Sequence, residues 1–303
     1  MKVAKSKNLK DIVFIDIETA SIEKELTEKS PYWDSWAYKN RGVEATELPA
    51  LYKQMAALSP EFAKVVVISV GRITPQGFKV VSYNNPDEKV LLEEFNRDLG
   101  KVQGARANTV LCGHAAIGFD IPFIHKRSMI NRVECGSLID TVGLKPWEVT
   151  AIDTKVLWQG TSYRPTSLIN IAVAMGIPSP KDDISGADVG RVYWEDNDLA
   201  SITRYCEKDV VATAKVFMGF RGEDLPDTLD MDESLITYLV EGGKYTESVQ
   251  DDLVSYLVKA DEDDRDAFYD ILGAVVSGAK GSKTDLKKSH VTALKKRVTK
   301  ELK

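Results

Sequence analysis

The chain has 303 residues, 43% of them hydrophobic, which is enough for one sizeable core and a smaller second unit, and its formal net charge is −6. Cys112, Cys135 and Cys206 are odd in number, widely spaced and without a Cys-x-x-Cys pair; this argues against a disulfide framework or a cysteine zinc site and fits a reducing, cytoplasmic compartment. No apolar run approaches the roughly 18 residues of a spanning helix, and the first residues lead into a short apolar strand instead of a signal-peptide core, so no membrane partner is expected.

In chain order, 1–10 reads as a basic tail and 11–18 as a strand, because Ile12, Val13, Phe14, Ile15 and Ile17 have the composition of a buried strand. Side chains alternate across a strand, so Asp16 and Glu18 share one face. Two carboxylates there repel unless a cation lies between them, although a strand fraying into solvent would carry the same pair. Residues 19–60 form a polar excursion whose Trp33, Trp36 and Tyr38 are expected to pack more than to stack on bases. Residues 65–73 and 79–83 read as strands, and 88–99, after Pro86, as a helix. Residues 110–112 supply a fourth strand, followed by a glycine-punctuated turn and a helix start at Asp120. An Asp just ahead of Pro122 suits an N-cap, a ligand held at a helix terminus, or both. After the segment 142–147, residues 153–158 supply a fifth strand. The order predicts an α/β fold with a mixed five-stranded sheet between helices.

Residues 199–220 have a helical rhythm at Ile202, Cys206, Val210, Val211, Ala214 and Phe217, with Asp196 or Asn197 as the cap. Tyr205 and Asp209, four apart, lie one above the other on one face. Alternatively, they are a half-buried Tyr and an Asp paired with Arg204 or Lys208. After Gly222 the texture changes. Helical spacing over 231–240, 249–258 and 267–275, broken at Gly242, Gly243 and Gly278, predicts a helical appendage over 223–279. Asp261, Glu262, Asp263 and Asp264 read as a solvated run. Gly243 and Lys244 do not make a phosphate loop, because Tyr238 and Tyr245 stand where the pattern needs Gly and Ser or Thr. The last segment, 280–303, holds nine Lys/Arg against Asp285 and Glu301, so it carries +7 and the rest −13. Val291, Leu294, Val298 and Leu302 share a stripe there, which suits either a packed amphipathic helix or a phosphate-binding arm.

The motifs around Asp16, Asp120 and Asp209 carry a family resemblance. Phe14-Ile15-Asp16-Ile17-Glu18-Thr19, Gly118-Phe119-Asp120-Ile121-Pro122 and Tyr205-x-x-x-Asp209 resemble, in that order, the three exonuclease motifs of the DEDD superfamily. Tyr205 places the chain in the DEDDy branch; the histidine branch would have His where Arg204 stands. Segments 58–69, 166–168 and 177–189 are similar to predicted 3′-5′ exonucleases related to the proofreading domain of family-B DNA polymerases. The resemblance covers roughly 10–222 and implies a ribonuclease-H-like exonuclease domain over 11–222. It also implies metal-dependent 3′-to-5′ hydrolysis of DNA, at single-stranded 3′ ends, in replication or repair. RNA is the alternative substrate and a separate polymerase a candidate partner. A silent nucleic-acid-binding module on the same fold is a competing reading, against which the intact acids and Tyr205 stand.

The chemistry suits those residues. A phosphodiester is anionic and its leaving alkoxide poor, and two Mg²⁺ or Mn²⁺ ions answer both problems. Such hard cations prefer oxygen ligands, and four carboxylates match two dications in charge. By resemblance, Asp16 bridges both metals, Glu18 and Asp209 hold the nucleophile-side ion, Asp120 serves the other and Tyr205 orients the attacking water. Thr19, Ala20, His114 and Phe119 are the implied substrate contacts. The second motif of the family carries Asn after its His, whereas here Ala115 follows His114, which puts one substrate contact in doubt.

Overall fold

The computed structural model describes residues 7–74, 77–162, 164–177, 184–225, 228–229, 239, 245–259, 265, 268–269, 272–273, 275–277 and 285–302. Strand β1 (Ile12–Ser21) is central. It pairs antiparallel with β2 (Ala63–Ile73), which pairs antiparallel with β3 (Phe78–Tyr83). On its other side β1 runs parallel to β4 (Val110–Gly113), which runs parallel to β5 (Ala151–Asp153). This is the expected mixed five-stranded sheet, in the order β5-β4-β1-β2-β3. A two-residue strand, β6 (Thr228–Leu229), extends it beyond β3; two residues have no period that a sequence pattern could reveal.

Strand β1 carries two cores, one on each face. Val13, Ile15 and Ile17 pack with Leu91, Leu92 and Phe95 of helix α3 (Glu88–Ala105) and with Ile121 and Ile124 of α4 (Asp120–Asn131). Ile12, Phe14 and Ala20 take the opposite face, under α7 (Leu199–Arg221), against Val210, Ala214 and Phe217 and against Ile202 and Cys206. Phe14 meets Phe78 and Phe217 edge to face, with ring centroids 5.6 and 5.8 Å apart. Its replacement by Ala would cost about 3–5 kcal/mol. Between α3 and α4 lies a buried ion pair. Arg127 donates to Glu88 at 2.5 and 2.9 Å and to the Pro60 carbonyl at 2.8 Å, while the Val65 N–H and the Asn131 amide donate to Glu88 at 2.7 and 2.8 Å.

The excursion after β1 folds into α1 (Trp33–Lys39) and α2 (Leu48–Met55) around their own core. Trp36 is buried there, edge to face with Tyr52 and Phe62 at 5.2 and 4.9 Å, so packing is its role; Tyr38 is exposed. Three boundary expectations change. The 153–158 strand is instead the end of β5 followed by α5 (Thr154–Gln159), because Asp153 caps that helix by accepting from the Lys155 and Val156 N–H groups. Helix α3 runs six residues past Leu99. The cap of α7 is Asp198, which accepts from the Ser201 N–H at 3.0 Å, while Asn197 stands in the left-handed region.

A second core lies beyond the sheet. It joins Leu253 and Leu257 of α8 (Glu247–Lys259), Phe268, Leu272, and Leu294 and Val298 of α9 (Lys288–Glu301). Leu294 and Val298 of the expected terminal stripe are therefore packed and Val291 is partly buried against them, while Leu302 is exposed. Helix α6 (Leu168–Ala174) rests on α7. The expected helix over 231–240 apart from Leu239, the acidic run 261–264, Gly242 to Lys244, Gly278 and the residues 280–284 lie outside the described residues.

Candidate active site

The two acids of β1 do not end a strand; β1 continues through them to Ser21. With Ile12, Phe14 and Ala20 they occupy the face under α7, and there the helix presents Tyr205, Cys206 and Asp209 in place of its apolar side chains. Strand β4 stops at Gly113, so β1 is paired with it only from Ile12 to Phe14, leaving the next backbone donors on that edge without a neighbouring strand. Asp120 takes one of them: the Ile17 N–H donates to its Oδ1 at 3.1 Å. Asp120 is thus not the helix cap, a position held by Phe119 without any side-chain bond. Its carboxylate is aimed instead from the opposite side of the sheet at the segment between Asp16 and Glu18.

The resulting cluster is electrostatically unfavourable as it stands. Burial, then Asp120, Glu18 and Asp209, push the Asp16 carboxyl well above the usual carboxylate range. Burial, Asp209 and Asp120 do the same to Glu18. Asp120 is pushed up to about 7, mainly by burial and further by Asp153 and Asp209, against the lowering effect of its backbone hydrogen bonds. The charges acting most strongly on these three groups are all carboxylates. Glu18 and Asp120 are 8% and 4% exposed, so solvent does little to relieve the repulsion. Tyr205 is held protonated by burial, Asp209, Glu18 and Asp16, and it is hydrogen-bonded to the Asp209 side chain. A Cβ on Gly186 would lie 3.9 Å from the Tyr205 hydroxyl, so Gly186 borders that group closely.

Asp16, Glu18 and Cys206 offer ligand atoms that all lie within 4.8 Å of one another. Burial and the Asp16 and Glu18 charges push the Cys206 thiol up, so it acts as a hydrogen-bond donor to Asp16, at 3.4 Å, and not as a thiolate. The donors left for an ion are carboxylate oxygens, a set that fits a hard divalent cation.

The four expected substrate residues are placed differently. Thr19 is buried and its hydroxyl donates to the Ala57 carbonyl at 2.7 Å; Ala20 is fully buried and in register with Lys64 of β2. Phe119 is half-buried, its ring 5.2 Å from that of Phe123. His114 Nδ1 lies 3.0 Å from the Thr154 hydroxyl and Nε2 lies 3.2 Å from the Thr166 carbonyl. Burial lowers its pKa, favouring the neutral ring, and with hydrogen on Nε2 it donates to the Thr166 carbonyl, while the single Thr154 hydroxyl proton is within reach of both Nδ1 and the Gly113 carbonyl, the latter at 3.2 Å.

Sequence reasoning missed Asp153. Only 4% exposed, it accepts from the N–H groups of Ala115 and Ile117 at 3.0 and 3.2 Å as well as capping α5. It thereby clamps the turn that leads into Asp120, and that turn is strained, with Ala115 at φ +64°. The available signal was an Asp directly ahead of the 3.6-residue rhythm of 154–159.

Residues 57–239 match the family described as predicted 3′-5′ exonucleases related to the exonuclease domain of PolB, and the chain belongs to it. The matched range contains Asp120, Tyr205 and Asp209 and begins after Asp16 and Glu18. Among solved structures, the family B DNA polymerase of the hyperthermophilic archaeon Pyrobaculum calidifontis is similar, at 14% identity and a TM-score of 0.45 over 76% of this chain. The chain spans 26% of that polymerase. No curated relative matches. Among the described residues, no helix is long and apolar enough to cross a membrane.

Proposed function

We propose that this exonuclease hydrolyses DNA from single-stranded 3′ ends in replication or repair, within a reducing, cytoplasmic compartment, with Asp16, Glu18, Asp120 and Asp209 holding two Mg²⁺ or Mn²⁺ ions. The observation that carries the reading is the convergence of these carboxylates, Glu18 and Asp120 buried and Asp16 and Asp209 partly so, from both sides of the sheet on one place where each raises the pKa of another. A fold gains nothing from such repulsion by itself; divalent cations would remove it. When bound, the ions lower the pKa of a water and neutralise the leaving oxygen.

The chain supplies the rest. Asp16, whose carboxyl is pushed up by both Asp120 and Glu18, would be shared between the two ions, with Glu18 and Asp209 holding the ion on the water side and Asp120 the one on the leaving-group side. Tyr205 stays protonated, so its O–H donates to Asp209 while its oxygen lone pairs accept from the attacking water and orient it. The water oxygen bonds to phosphorus, the P–O3′ bond breaks, and the 3′ oxygen of the shortened strand takes up a proton. The terminal nucleotide meets the turn held by His114 and Asp153, with Phe119 at its edge and the backbone of Thr19 and Ala20 across from it. A separate polymerase is the partner this relationship suggests.

The test is hydrolysis of end-labelled single- and double-stranded DNA and RNA with Mg²⁺, Mn²⁺ or chelator. Shortening of single-stranded DNA from its 3′ end, stopped by chelator, is expected. Turnover that survives chelator removes the metal assignment, and a preference for RNA makes the chain an exoribonuclease on the same site.

A further inference from the structure

Helix α9 has an apolar side, Leu294 and Val298, buried in the second core, and it is tied down by Arg297, which pairs with Asp251 of α8 at 2.6 Å. Lys288, Lys295, Lys296 and Lys300 are all exposed. At 100° per residue these four fall within an arc of roughly 140°, on the side away from Leu294 and Val298, and they span about 18 Å of helix. The acid of the last turn, Glu301, lies outside the arc and is occupied by Arg297 at 3.5 Å. Among the described residues none of the four lysines pairs with a carboxylate. An ordinary solvated face mixes signs, and this chain has more acids than bases, 46 against 40, yet the arc is uniformly positive.

From this arc we infer a second nucleic-acid contact, a track for the phosphate backbone of the strand being degraded. The inference rests on the reading of the chain as a nuclease. Lysine suits it: a compact point charge on a flexible stem neutralises phosphates without reading bases. A lipid surface fits less well, because a helix lying on a bilayer must insert an apolar face, and here that face is already consumed by the core. The appendage also has a physical link to the catalytic helix. Ala200, in the first turn of α7, packs against the second core, and Tyr205 follows five residues later, about 7.5 Å along the same helix. The family match ends at Leu239, so this helix lies beyond the matched range.

The experiment uses the full chain with Lys288→Gln, Lys296→Gln and Lys300→Gln combined, leaving Lys295, whose Nζ sits 4.4 Å over the Tyr269 ring. Binding of fluorescent oligothymidylates of about 4 and about 24 nucleotides is measured by anisotropy in chelator over a range of NaCl, so that no turnover is needed. Wild type is expected to hold the longer strand more tightly. In the variant the slope of log K against log salt should fall by about 2, at roughly 0.7 per lost contact, and affinity at low salt by tenfold or more. Melting should not move, and Lys→Arg at the same three positions should restore the slope.

An unchanged slope on the longer strand in a variant that melts like wild type overturns the inference. A loss that Lys→Arg does not restore overturns it too, as does capture by phosphatidylserine vesicles that depends on these lysines while oligonucleotide binding does not. A wild type that binds the long strand through these lysines but cleaves nothing with Mg²⁺ or Mn²⁺ upholds the track and defeats the nuclease reading.

Discussion

The protein holds two groups of largely shielded charge, one around Glu88 and one around Asp16, and they are built on opposite terms. Around Glu88 the carboxylate meets a guanidinium, one backbone N–H and an amide, and the guanidinium also reaches the Pro60 carbonyl, so Glu88 and Arg127, 8% and 7% exposed in their side chains, are mutually satisfied. Around Asp16 the neighbouring charges are carboxylates that push one another toward protonation. The first arrangement is complete and holds α3, α4 and β2 together. Under the function proposed above, cations would complete the second, and this separates a structural ion pair from a site.

The sharpest way to test the contrast is to neutralise one member of each group. Asp16→Asn should reduce hydrolysis on the order of a thousandfold or more, the several kcal/mol of charge stabilisation that a bridged metal supplies, while the metal-free protein melts no earlier than wild type because a repulsion has been removed. Steady-state rates in Mg²⁺ and melting in chelator check both halves. Arg127→Ala should do the reverse. Leaving Glu88 buried without its partner costs about 3–5 kcal/mol, read by urea unfolding, and the surviving folded fraction should cleave normally. Equal effects on stability from the two substitutions would erase the distinction.

Tyr205→Phe sits between these extremes. Losing the hydroxyl that orients the water should slow turnover roughly 10²-fold with binding of substrate unchanged. A change in melting with unchanged turnover would return Tyr205 to the packing of the Val67 and Ile202 cluster.

The pH dependence has a definite sign. Asp120 titrates near 7 in the fold against 3.8 in an unfolded chain, so the folded state holds more protons between those values, and its stability falls as pH rises through them. Metal-free protein should therefore lose this contribution between pH about 4 and 7, and the rise in Tm caused by Mn²⁺ should be larger at pH 8 than at pH 5. Equal Mn²⁺ shifts at both values would mean that the ion binds elsewhere. The smallest effect belongs to the strained turn. Ala115→Asn places at φ +64° a residue that tolerates the left-handed region and should stabilise by about 0.5–1 kcal/mol, measured by thermal melting. Destabilisation would mean that the Asp153 clamp requires the smaller side chain.

Much of this site is legible without coordinates because its parts are locally encoded. Alternation puts Asp16 and Glu18 on one face of β1, the four-residue interval stacks Tyr205 on Asp209, and the stripe of Leu294 and Val298 predicts one packed side of α9; each depends only on the geometry of a strand or helix within a few residues. Tertiary structure decided the rest. Asp120 faces Ile17, 103 positions away, because β4 stops at Gly113 and leaves that N–H open, a matter of relative strand lengths. Asp153 reaches Ala115 and Ile117 only because β5 lies beside β4, and the same sequence that suggested a strand there forms a helix that Asp153 caps through the Lys155 and Val156 N–H groups. His114 is drawn toward Thr154 and Thr166, a use no spacing announces. Period and propensity act over one turn or one pleat, whereas the aim of a buried carboxylate is set by whichever backbone donors the assembled sheet leaves unpaired.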